Sequence, residues 1–124
     1  MKHLFEYAVI RVVPRIERGE QVNVGVVLYC QALDYLCAQV HLEPARLRAL
    51  DPKIDLAELS AALLSWEMTC DGSSGQPAAG LKPGERFRWL TGPRSTIIQA
   101  SPVHTGLTDD PTAELDRLMQ RLVY

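Results

Sequence analysis

The sequence predicts an α+β domain in which an antiparallel sheet of about five strands, a meander of three and then two more, carries two main helices packed on one face. Three observations lead there. Period-two apolar patterning fills the first third of the chain, two later stretches show helical spacing behind N-terminal capping signals, and a short β-branched run lies between those helices.

Residues 5–13 place Ala8, Ile10 and Val12 on one side of an alternating pattern and Tyr7, Val9 and Arg11 on the other, which predicts the first strand. The polar turn Glu17-Arg18-Gly19-Glu20 reverses the chain, and residues 22–30 set Val22, Val24, Val26 and Leu28 on one face of a second. After a polar break at 31–34, residues 35–41 repeat the pattern with Leu36, Ala38 and Val40. Helices are expected to cover this aliphatic side. The other side would present Tyr7, Arg11, Asn23, Tyr29, Gln39 and His41, a polar and aromatic set open to solvent.

Residues 44–50 suit a short helix that ends at Asp51-Pro52. Asp55 followed three residues later by Glu58 resembles a capping box, and Leu56, Leu59, Leu63 and Trp66 continue at helical spacing, predicting a helix over 56–68. Residues 71–84, rich in Gly, Ser, Pro and Ala, read as a loop. Beyond it, Phe87 and Trp89 alternate with Arg86 and Arg88 as in a strand with Trp89 packed inward, and residues 95–100 supply another strand. Residues 101–106 read as a loop. Asp110 before Pro111 is the order of an N-cap and first helical residue, and Leu115, Leu118, Met119 and Leu122 line the last helix.

With 124 residues, 47% of them hydrophobic and 23% charged, the chain has the size of one domain with its own core, so residues 1–124 are expected to fold as a unit. A formal charge of -2 gives no global pull toward nucleic acid or anionic lipid. Cys30, Cys37 and Cys70 lack paired spacing and are expected to be reduced, buried or half-buried. Neither a signal-peptide h-region nor an apolar run of about 18 residues is present, from which cytoplasmic residence without a membrane span is expected.

The segment 86–106 carries the main local asymmetry, since Arg86, Arg88 and Arg94 lie in it with no acidic residue. Arg94, Ser95 and Thr96 after Gly92-Pro93 offer a guanidinium fork and two hydroxyls to phosphate or carboxylate oxygens. Arginines alternating along a strand are more often a solvated face. His104 is the one candidate for acid–base work and lacks a motif that would orient it. Asn23 and Arg11 stand as polar residues in mid-strand, and Gly25 reads as a bulge or a crowded sheet contact. His3, His41, His104 and the cysteines have no metal-ligand spacing, and no cofactor motif occurs, so neither a metal nor a cofactor is expected.

The run Tyr7-Ala8-Val9-Ile10-Arg11-Val12-Val13-Pro14, followed by Gly19-Glu20-x-x-Asn23-Val24-Gly25-Val26-Val27-Leu28, resembles the bacterial family called domain of unknown function 3037. Arg86-Phe87-x-Trp89-Leu90-x-x-Pro93-Arg94-Ser95 and Pro102-Val103-His104-Thr105-Gly106-Leu107 are similar to its second signature. The resemblance spans nearly the whole chain and transfers no catalytic residue. It implies a genomic neighbour, a kinase similar to those of toxin–antitoxin systems, and hence an accessory or regulatory role.

Three functions follow as expectations. The first is a non-enzymatic binding or regulatory module whose polar sheet face and 86–106 segment meet a protein partner such as that kinase. The second is a small enzyme or binder for a phosphorylated or nucleotide ligand, with Arg94, Ser95 and Thr96 on the anion and His104 moving a proton. The third, disfavoured by the net charge, is nucleic-acid binding through the same arginines. A homo-oligomer formed through Tyr7, Val9, Val27 and Tyr29 is a further expectation.

Overall fold

Alternation of apolar and polar residues over the first forty positions produces three strands joined by short turns, as the pattern predicts. The computed structural model describes residues 1–76, 78–94 and 96–124. The elements run β1 (His3–Val12), β2 (Val22–Cys30), β3 (Tyr35–Val40), α1 (Pro44–Leu50), α2 (Leu56–Cys70), α3 (Pro83–Thr91), β4 (Ile98–Ala100), β5 (His104–Thr108) and α4 (Pro111–Leu122). The five strands form one antiparallel sheet in the order β3-β2-β1, with β4 and β5 sharing the far side of β1. There β4 pairs with Ile10, Arg11 and Val12, and β5 with residues 3–7.

The two faces of this sheet divide differently from the expectation. Ile10 pairs with Gly25 but Arg11 pairs with Asn23, so Val24 is an extra residue in β2, a β-bulge. A bulge reverses which side the following residues face. Val24 packs with Ala8, Ile10 and Val12, whereas Val26 and Leu28 turn to the opposite side and Val27 joins the first. Gly25 is both a bulge residue and a crowded contact: a Cβ there would lie 2.5 Å from the Gln39 carbonyl oxygen on β3.

Both sheet faces are therefore covered. Leu47 of α1, Leu59, Leu63 and Trp66 of α2, and Phe87 and Leu90 of α3 bury Ala8, Ile10, Val12, Val24 and Val27. On the other side Leu115, Leu118 and Met119 of α4 pack over Phe5, Val26, Leu28 and Cys30. The expectation that both main helices share one face is corrected: α2 lies on one and α4 on the other, because the bulge gives β2 an apolar set for each. The open polar face is corrected with it, and Tyr7, Val9, Val27 and Tyr29 do not form one surface for a second copy.

Residues 86–90 are helical, not a strand. Pro83 occupies the first turn of α3, and the Glu85 carboxylate accepts the Lys82 backbone N–H at 3.1 Å, closing the N-terminus. Phe87 and Leu90, three apart, turn to the core together, and Phe87 stacks on Tyr29 with ring centroids 5.5 Å apart. Trp89, expected inside, is 40% exposed. The first strand after α3 is shortened to β4, and His104 to Gly106, expected in a loop, belong to β5.

Between β4 and β5 the edge takes one residue more than β1 opposite it, at Ser101-Pro102-Val103. Pro102 has no N–H to give, and Ser101 closes the gap: its hydroxyl accepts the Val9 N–H at 2.8 Å and its own N–H donates to the Val9 carbonyl at 2.8 Å. Asp55 and Asp110 cap α2 and α4 by accepting the N–H groups of Glu58 and Ala113. Among the described residues no helix is long and apolar enough to cross a membrane.

Candidate functional site

A cleft of about 600 Å³ opens between the β1–β2 turn, the start of α2 and the loop entering β4. Its floor is apolar, built from Leu59, Ala62 and Trp66 of α2 with Ile54 and Ile98. Ile16, 44% exposed, and Ile97, 46% exposed, form its lips. The backbone N–H of Val13, three residues before Ile16, donates to the Ile97 carbonyl at 2.6 Å and joins the two segments. Asp51, Asp55 and Glu58 stand at the α2 wall; Asp51 and Asp55 already accept the N–H groups of Lys53 and Glu58.

Arg94 is part of the same lining. Its guanidinium sits 4.4 Å from the Trp89 ring centroid and 5.8 Å from that of Trp66, and one Nη donates to the Trp89 carbonyl at 2.5 Å. Partial burial lowers its pKa, yet a guanidinium stays charged at neutral pH. Among the described residues no carboxylate pairs with it. Thr96 lines the same cleft, with its hydroxyl donated to the Ile98 carbonyl at 2.7 Å. Ser95 lies outside the described residues.

The remaining sequence candidates lie elsewhere. Arg86 donates to the carbonyls of Leu81 and Cys70, bracing the 71–82 loop against the end of α2. Arg88 reaches both carboxylate oxygens of Glu6 at 2.8 and 2.7 Å, tying α3 to β1. Asn23 donates to the Leu122 carbonyl at 3.0 Å, where the last turn of α4 leaves carbonyls unpaired. Arg11 lies directly across from Asn23 and Gln99, and its buried Nε has no hydrogen-bond partner among the described residues. His104 is exposed on β5 beside Tyr7, ring centroids 5.4 Å apart.

Arg94 and His104 are thus on opposite sides of the sheet: Arg94 with Trp66 on the α2 side, His104 with Tyr7 on the α4 side. Arg11, Asn23, Arg88, Arg94 and His104 do not surround one pocket. Of the anion set, Arg94 and Thr96 share the cleft. Pro14, Ile16, Trp66 and Ile97 were missed because the cleft joins segments far apart in sequence. Two local signals were present: Ile16, an apolar residue in a charged turn, and Ile97-Ile98, two adjacent isoleucines where a strand would alternate. No group of three His, Cys, Asp or Glu that could hold a metal occurs among the described residues.

Cys30, Cys37 and Cys70 are free thiols. Burial pushes Cys70 up from 9.0 to about 12 and Tyr35 up from 10.0 to about 12, and raises Cys37 as well. Each group is neutral in the acid form, so a raised folded-state pKa adds stability that is complete below the unfolded value and is lost as pH rises toward the folded one. Urea midpoints are therefore expected to be level from pH 7 to 8 and to fall between pH 9 and about 12. A midpoint constant across that alkaline window would contradict it.

Compared with known proteins, residues 7–123 match the model of one family, described as protein of unknown function (DUF3037). No curated protein and no solved structure matches the chain.

Proposed function

Since the chain belongs to the DUF3037 family, whose description assigns no activity, we propose that it is a non-enzymatic binding module whose Arg94 cleft receives an apolar side chain flanked by a carboxylate on a protein partner. The carrying observation is a guanidinium without a carboxylate partner among the described residues, set over the apolar floor of a cleft of about 600 Å³. An apolar side chain seated there gains roughly 1.5–3 kcal/mol from burial. A carboxylate meeting Arg94 adds a charge-assisted hydrogen bond of about 1.5–3 kcal/mol. The exposed lips Ile16 and Ile97 favour a protein over a small ligand, because a partner's surface would cover them whereas a small molecule would leave them wet. The kinase implied by the family resemblance is the partner whose surface segments come first.

The test uses the chain's own fluorescence. Both of its tryptophans, Trp66 and Trp89, lie against Arg94. Titration with short peptides carrying Leu or Phe between Asp and Glu residues is expected to change tryptophan emission saturably, and the same peptides with Lys in place of the acids are not. Arg94→Gln and Ile97→Asp should each weaken the acidic peptides by about tenfold or more, a loss of about 1.4 kcal/mol. Equal binding of both peptide sets, or unchanged affinity in the Arg94→Gln variant, would overturn this reading.

A further inference from the structure

The edge strand β5 carries features that the cleft does not use. Its inner side pairs with residues 3–7 of β1, and beyond its outer side no strand follows among the described residues. An edge of this kind presents alternate backbone N–H and C=O groups that only another extended segment can pair in full. Native edges are usually defended by charges, prolines or covering helices. The opposite edge, β3, has α2, α3 and α4 packed against it, with the Gln39 amide held by Asp116 at 2.6 Å. β4 ends at the extra residue and at Pro102. The sequence of β5, His104-Thr105-Gly106-Leu107-Thr108, holds no acid, no Lys or Arg and no proline.

The helical layers centre on the other strands: α4 packs mainly on β2 and β3, and α2 and α3 on β2, β3 and β4. Beside the bare edge lies an apolar pair, Leu4 on β1 directly opposite Leu107 on β5, 61% and 60% exposed. Single exposed leucines are ordinary, but two in cross-strand register next to an unpaired edge make a continuous strip.

We propose that β5 is the seam of a homodimer, in which two copies join β5 to β5 antiparallel and continue one sheet across a two-fold axis. An antiparallel strand is its own complement under such an axis. Centred on Gly106, the pairing sets Leu107 of each copy beside Thr105 of the other, on the face that carries Leu4, and His104 beside Thr108 on the opposite face. No like charges meet. That condition selects a second copy over a charged peptide, which would find no opposite charge on β5 to match. Gly106 stands at the axis, where Phe5 lies across the space its Cβ would fill, 2.6 Å away at the nearest atom.

Sedimentation of the full chain over about 1 µM to about 1 mM, the span of a weak self-association, is expected to show a monomer–dimer equilibrium. Hydrogen exchange should slow at 104–108 on concentration. Leu107→Lys, which changes a side chain already in solvent, should leave circular dichroism unchanged and raise the dimer dissociation constant at least tenfold. Leu64→Lys, at an exposed position on α2, should leave it unaltered. Thr105→Lys serves as the second edge variant if Leu107→Lys disturbs the fold. A wild-type chain that stays monomeric throughout, or dimerisation equal in both edge variants and wild type, would overturn the proposal.

Discussion

Phe87→Ala is expected to destabilise the fold by about 3–5 kcal/mol, the usual cost of removing a buried aromatic ring and leaving a cavity. Phe87 is fully buried, stacked on Tyr29 and packed among the side chains of the α2–α3 layer. Against a total stability of about 5–15 kcal/mol for a domain of this kind, the variant would be folded only marginally. Trp89→Ala, two residues on, should cost clearly less, about 1–2 kcal/mol, since Trp89 is 40% exposed and belongs to neither buried cluster. Urea unfolding of the two variants separates a helix from a strand at 83–91. Two inward aromatics of a strand would lose similar amounts, whereas α3 requires a difference of a few kcal/mol.

Gly25→Ala is expected to cost about 1–3 kcal/mol or more through overpacking. The added methyl would meet the Gln39 carbonyl oxygen at 2.5 Å, Val40 Cγ1 at 3.0 Å and Ile10 Cδ1 at 3.2 Å. The first contact is backbone, so relief demands that β2 and β3 move apart where the last residues of β3 pair with β2. Gly80→Ala is the matched control, because among the described residues nothing lies within 4 Å of a Cβ at that position, and its effect should stay within about 0.5 kcal/mol. Thermal or urea melts of the two alanine variants measure the contrast; equal midpoints would mean that the bulge tolerates a side chain.

These two positions also mark where sequence reasoning reached its limit. β1, β2, β3, α2 and α4 were legible because each carries a periodicity or a cap of its own. Gly25 was legible as a bulge or a crowded contact, but the reversal of faces it brings was not, since one extra residue leaves a Val-rich run looking the same in either parity. In α3 the order Arg86-Phe87-Arg88-Trp89 satisfies period two, while Phe87 and Leu90 satisfy the helix. Burial of Phe87 under α2 decides between them, and that contact is invisible locally. β5 was hidden behind Pro102 and Gly106, residues that ordinarily signal a loop. Of the candidate site, Arg94 and Thr96 were singled out together in the sequence, and both line the cleft. The floor and lips were not, because α2, the first turn and the β4 approach meet only after folding.

The double cover of β2 restricts where new chemistry can arise in this chain. A strand wet on one side can exchange every second residue for a polar or reactive one at little cost. From Val24 to Leu28 each side chain instead answers to a helix above or below, so change there is limited to swaps that conserve volume. Freer variation is left to the periphery: the turn bearing Ile16, the approach to β4, and the outer side of β5.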